Sequence, residues 1–216
     1  MLEIGTRYFS QSRFSEGLTF HFDALKLAEK TQNKGIHFRC LAELASFYES
    51  NTMHDNALKL ALQAEEIASE QNNARDLFEI YDLIGGYIYF NQGNYDKAFE
   101  YGKKMLRTAE MEKDEMKIAR TKALLGDIYR RQDKFEEGLK IYEEAVKITR
   151  RLGEKRTTRA FLNNIGLILG AQKKFDQALS YYMESLAIAE EENFHFDAAF
   201  VSVHIANTYV DLRDFP

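Results

Sequence analysis

The chain has 216 residues, 45% hydrophobic and 29% charged, with one cysteine, a single proline at the last position and a net charge of −5. That charge supplies no general drive toward nucleic acid or an anionic membrane. The lone Cys40 excludes an internal disulfide and fits a reducing, cytoplasmic setting. The longest apolar stretches, such as Ile165–Leu169, fall far short of the ~18 residues that span a bilayer. With no proline before Pro216, long helices can run unbroken.

Taken from the N-terminus, MLEIGTRYFSQSRF lacks the basic start and apolar run of a secretory signal and reads as helix interior. Gly5 in that helix opens a series of small residues: Gly5, Ala45, Gly86, Gly126, Gly166 and Ala206, at intervals of 40, 41, 40, 40 and 40. Three residues after each come Tyr8, Tyr48, Tyr89, Tyr129, Leu169 and Tyr209. Nine after come Phe14, His54, Tyr95, Phe135, Phe175 and Phe215. Twelve after come Gly17, Ala57, Ala98, Gly138 and Ala178, and nineteen after, Ala24, Ala64, Met105, Ala145 and Ser185.

The columns predict a helix pair per repeat. Helix A runs from about nine residues before the small column to five after it, and helix B starts at the aromatic column. Small residues in both helices let their backbones approach closely. Short polar stretches join the helices: NQGN, RQDK and AQKK within repeats, and QNKG at 32–35, QNN at 71–73, EKD at 112–114, LGEK at 152–155 and EENF at 191–194 between them. Gly35 and Gly153 suit a left-handed helix end. The repeats cover about 1–34, 35–75, 76–115, 116–155 and 156–195, with a partial repeat at 196–216, read as one solenoid domain. The short first helix, and Asp214, Phe215 and Pro216 as the opening of a further helix B, suggest a segment of a longer protein. Val201, Val203, Ile205 and Tyr209 are then expected to lack a covering repeat.

The pattern resembles the tetratricopeptide repeat, best at Leu125, Gly126, Tyr129, Phe135, Gly138, Tyr142 and Ala145, and again at Ile165, Gly166, Phe175, Ala178 and Tyr182. It is similar to the longer, 40-residue form found in kinesin light chain, in bacterial Rap- and PlcR-type peptide receptors and in the sensory halves of bacterial signalling proteins. The resemblance implies an all-α fold, an α-α superhelix of antiparallel helix pairs whose A helices line a concave groove. It places Arg39, Glu43, Ser46 and Glu49 in that groove, then Tyr87, Phe90 and Asn91, then Arg120, Asp127, Arg130 and Arg131, then Asn163 and Asn164, and last His204 and Asn207. By the same resemblance, Asn163 and Asn164 match asparagines that hold a peptide backbone. Arg120 and Arg130 suit a carboxylate, and Tyr87 and Phe90 an apolar anchor.

Other chemistry is weakly encoded. His21, His37, His54, His195 and His204 show no metal-ligand spacing, and His54 sits in the packing aromatic column. Cys40 has no thiol partner and reads as a buried structural residue. Paired carboxylates such as Glu136 with Lys140 and Glu143 with Lys147 read as solvated i,i+4 pairs. Lys147, Arg150, Arg151, Lys155, Arg156 and Arg159 form a basic cluster, read mainly as a charged turn and alternatively as a docking patch. No catalytic constellation, cofactor or metal site is expected. The expected function is binding a protein or peptide, as the sensory or docking part of a larger regulatory protein. One alternative is a signalling-peptide receptor controlling an attached DNA-binding, kinase or cyclase domain. Another is self-assembly through uncapped terminal repeats.

Overall fold

The structure, a computed structural model, describes residues 1–214, so Phe215 and Pro216 and their expected helix lie outside it. Eleven helical elements follow one another: α1 (Leu2–Ser10), α2 (Phe14–Lys30), α3 (Lys34–Ser50), α4 (His54–Glu70), α5 (Ala74–Tyr81), α6 (Tyr95–Glu112), α7 (Glu115–Arg131), α8 (Phe135–Arg151), α9 (Lys155–Ala171), α10 (Phe175–Glu191) and α11 (His195–Asp214). After α5 the chain continues as a π-helix over Asp82–Tyr89. The chain forms two compact units, Met1–Thr108 and the part from Ala109 onward. Asp214 ends α11 rather than opening a new helix, and Val201 is buried, whereas Val203 and Tyr209 are exposed.

One turn geometry recurs throughout. Left-handed residues stand at Ser12, Gln32, Thr52, Asn72, Gly93, Lys113, Asp133, Gly153, Lys173 and Asn193. They lie 20 apart, except that Asn72 and Gly93 lie 21 apart. At Gln32 the bonds are Gln32 N–H to Glu29 O (3.1 Å) and Asn33 N–H to Ala28 O (3.0 Å), the pair of a Schellman helix end. Gly153 takes this role as expected, but Gly35 does not: it lies inside α3, and the left-handed residue is Gln32. The bonded turn holds a non-glycine residue there despite a cost of about 1–2 kcal/mol. The A helices also begin about two residues earlier than expected. Asn33, Asn73 and Asp114 cap α3, α5 and α7 by accepting from Ile36, Asp76 and Lys117 N–H, satisfying donors that a helix start leaves open.

The extra residue between Asn72 and Gly93 corrects one repeat assignment. The small residue that meets helix B is Gly85, not Gly86: a Cβ on Gly85 would lie 2.5 Å from Tyr101 Cβ and 3.3 Å from Ala98 O. Counted from Gly85, the 41-residue step falls between Gly85 and Gly126, the interval that contains the rest of the π-helix. The additional residue sits in the π-helix, whose wider turn absorbs an insertion without shifting the elements beyond it.

Packing at the small column follows a pairing sixteen residues long. Gly5 meets His21, Gly85 meets Tyr101, Gly126 meets Tyr142 and Gly166 meets Tyr182, each added Cβ lying 2.4–2.5 Å from its nearest ring-residue atom. Where the small residue is Ala45, the residue sixteen on is Ala61, and both are fully buried. Glycine thus faces a ring and alanine faces alanine, which conserves volume in the A–B contact. In the second unit Tyr142, Phe161, Leu162, Ile165, Ile168 and Tyr182 join one core cluster.

Candidate functional site

In the second unit the outward faces of α7 and α9 carry polar side chains grouped around Tyr142. Its ring, from α8, is fully buried over Gly126, and its hydroxyl reaches between the two A helices. Asn164 Nδ2 donates to that hydroxyl at 2.9 Å, and the Asp127 carboxylate acts on it electrostatically. Burial first, and the Asp127 charge second, push the Tyr142 pKa well above its ordinary value, so the hydroxyl stays protonated. Asp127 in turn holds Arg130 at 3.2 Å. Arg120 lies two turns before Asp127 on the same face of α7, exposed and without a hydrogen bond or ion pair among the described residues. Four residues expected in the groove, Arg120, Asp127, Arg130 and Asn164, therefore share one surface, with Asn164 held by Tyr142 and Arg130 by Asp127.

The other residues expected there are placed differently. Asn163 is 5% exposed, with a buried Oδ1 that has no partner. One turn earlier Arg159 is 8% exposed, and its Nε also lacks one. Arg159 reaches Asp197 of α11 at 3.2 Å. Asn163 thus lies within the packed interior and not on the open face with Asn164. His204 is half-buried between Tyr182 and Phe200, at 5.5 and 4.8 Å between ring centroids, and burial lowers its pKa. Asn207 is exposed.

In the first unit, Arg39 approaches Glu43 at 3.7 Å. Glu43 also accepts from Thr6 Oγ1 (2.9 Å) and faces buried His21 Nε2 (2.8 Å). Asn91 Nδ2 donates to Glu49 at 2.6 Å, bridging the end of the third A helix to α3. Tyr87 is 51% exposed, and Phe90 packs edge-on against Tyr95 at 5.7 Å.

Two segments match models of the family described as tetratricopeptide repeat, residues 117–191 and 78–109. Those two segments are tetratricopeptide repeats. It is 26% identical over 222 aligned residues to kinesin light chain-related protein 2 of Arabidopsis thaliana, covering 95% of this chain and 32% of that one. The chain thus spans about a third of the curated relative it matches. Apo RapI shares its fold at a TM-score of 0.83 and 15% identity, over 99% of this chain and 82% of that one. A signal transduction ATPase with a tetratricopeptide repeat sensor from Pyrococcus horikoshii shares it at 0.82 and 20%, over 97% and 32%.

In this repeat protein the basic cluster, Lys147 apart, is paired with carboxylates. Arg150 pairs with Glu184, Arg151 with Glu115 (2.6 Å), Lys155 with Glu191 and Glu192 (2.9 and 2.6 Å), and Arg156 and Arg159 face Asp197. The pairs join neighbouring helices, as do Lys104 with Glu65 and Lys122 with Glu144. Cys40 is fully buried and its thiol is pushed up to about 11, chiefly by burial, which leaves it unreactive. Among the described residues no helix is long and apolar enough to cross a membrane.

The role of Tyr142 was not singled out from sequence, although the family pattern contains it. The signal was available: tyrosine recurs sixteen residues after the small glycine at Tyr101, Tyr142 and Tyr182.

Proposed function

We propose that the tetratricopeptide repeats bind a protein or peptide on the A-helix face of the second unit, at Arg120, Asp127, Arg130 and Asn164. The observation that carries this reading is the two pairs Asn164–Tyr142 and Asp127–Arg130, which fix polar side chains at an open surface before any ligand arrives. Preorganisation of this kind lowers the entropic cost of binding. Arg120 supplies an unpaired cation for a ligand carboxylate. The relative with a repeat sensor in a signalling ATPase supports a sensory or docking role within a larger regulatory protein. A signalling-peptide receptor acting on an attached output domain is a special case of that role.

The test is to select peptides from a displayed random library on the chain, then titrate the best one against wild type and the triple variant R120A/R130A/N164A. Losing even one charge-assisted hydrogen bond, worth about 1.5–3 kcal/mol, weakens binding at least tenfold. Undiminished affinity in a variant of unchanged helicity refutes the assignment, and failure to select any peptide refutes peptide binding.

A second reading, self-assembly, is favoured by α11, where Phe196 is 84%, Phe200 53%, Val203 57% and Val210 57% exposed. Light scattering decides it: a mass that rises with concentration supports it, and a constant monomer mass rules it out.

A further inference from the structure

We infer that a hollow in the first unit receives the cationic side chain of an arginine or lysine in a bound peptide. This rests on the reading that A-helix faces of the repeats take a peptide, and adds a second, chemically different subsite. The hollow has a volume of about 440 Å³ and is walled by α1, the first residue of α2, α3 and α5. Phe9 and Phe47 line it, stacked at 4.3 Å and 16°, with Phe14 tilted onto Phe47 at 5.6 Å. Phe14 remains 45% exposed, a cost in water-contacting apolar surface that an occupant would remove.

Its charge is one-sided. Glu43 and Glu79 both line the hollow, and no lining residue is cationic. Arg39, 3.7 Å from Glu43, borders the adjacent hollow with Glu3 and Arg7. Glu43 is already engaged by Thr6 and His21, and those bonds fix its position. Glu79 is exposed and has no hydrogen bond or ion pair among the described residues. Ser46, on the same wall, adds a hydroxyl. Aromatic faces attract cations by their quadrupole, carboxylates attract them by charge, and the stem of an arginine or lysine covers apolar surface while its head stays polar. A neutral apolar side chain would leave Glu79 unpaired, and an acidic one would be repelled. The complementarity therefore selects a cation.

The experiment titrates Ac-Ala-Arg-Ala-NH2 into the isotope-labelled chain and follows backbone amide shifts, with the citrulline tripeptide as a neutral isostere. The expected result is saturable shifts at Ser46, Ser50 and Glu79 with the arginine probe and none with citrulline. Glu79→Gln should weaken binding about fivefold, and Phe14→Leu should weaken it while leaving the free spectrum dispersed. Equal shifts with citrulline, shifts confined to other surfaces, or no saturable shift at all would each overturn the inference. The two readings fail separately. If the selected peptide depends on Arg120, Arg130 and Asn164 but the probe leaves the hollow unmoved, only this inference falls. If the probe binds and the triple variant retains full affinity, only the second-unit site falls.

Discussion

Gly126→Ala adds one methyl group at the closest approach of α7 and α8. The new Cβ would lie 2.5 and 2.6 Å from Cδ2 and Cε2 of Tyr142, and 3.1 Å from Ile141 Cγ2. Ordinary contact is near 3.5–4.0 Å, so a fully buried ring has to move by about an ångström or the helices have to part. Overpacking of this kind costs about 1–3 kcal/mol, and two clashing ring atoms put this case at the upper end. Replacing glycine in a helix returns about 1 kcal/mol, leaving a net loss of about 2 kcal/mol. Gly138→Ala is the control on the same helix pair. Its Cβ would meet nothing closer than Gly126 O at 3.3 Å, and three other members of its column are already alanine, Ala57, Ala98 and Ala178. It should be neutral or about 1 kcal/mol stabilising. Urea unfolding followed by circular dichroism reads the difference: the midpoint of Gly126→Ala should fall by about 1 M at unchanged slope, while that of Gly138→Ala holds or rises. In the Tyr142→Ala background, Gly126→Ala should cost nothing further, as the Ala45–Ala61 pair implies; a double-mutant cycle measures that coupling. Equal effects of the two glycine substitutions, or an additive cycle, would refute the glycine-faces-ring account.

Three further outcomes are expected. Deleting Gly86 should leave the chain folded with a melting temperature near wild type, because it converts the π-helix to α-helix and restores a 20-residue spacing of turns. A one-residue deletion in an ordinary helix rotates all that follows by about 100°, and an unfolded ΔGly86 chain would contradict the insertion account. Acid titration probes His21 and Glu43: both imidazole nitrogens face acceptors, Gly17 O and the Glu43 carboxylate, and the His21 bond holds Glu43 below its ordinary value. A depressed carboxylate contributes stability that is present above the ordinary range and lost as pH falls through its folded value. Glu43→Gln should flatten the stability profile below pH 4.5, and an unchanged profile would show the pair to be inert. Asp197→Asn should destabilise the second unit by roughly 2–3 kcal/mol, since it leaves the buried Arg159 guanidinium without its carboxylate; thermal unfolding checks this, and a loss under 0.5 kcal/mol would count against it.

The fold was legible because steric columns leave a periodic trace. The small, aromatic and alanine positions set both helices of the first five repeats and the first residue of each of their B helices, His54 included. The third repeat misled at one position because two adjacent glycines fit the column and sequence spacing does not reveal a π-turn; Gly86 matched the turn that follows, while Gly85 makes the contact. Gly35 misled because residue type argued for a left-handed end, whereas the bonded turn imposes that conformation on Gln32. The candidate site was half legible. Arg120, Asp127, Arg130 and Asn164 follow from the family resemblance, but Asn163, one residue from Asn164, is buried because 100° of rotation turns it into the packed interior. The Tyr142–Asn164 bond crosses from a B helix to an A helix, and no spacing rule along one helix exposes it. The aromatic hollow likewise draws Phe9, Phe47 and Glu79 from three helices.

Amide hydrogen exchange with and without the selected peptide tests the central claim most directly. The account expects slowed exchange concentrated on α7 and α9 around Asp127 and Asn164, with α8 and α10 changed little. Protection confined to the B helices, or spread evenly along the chain, would contradict it.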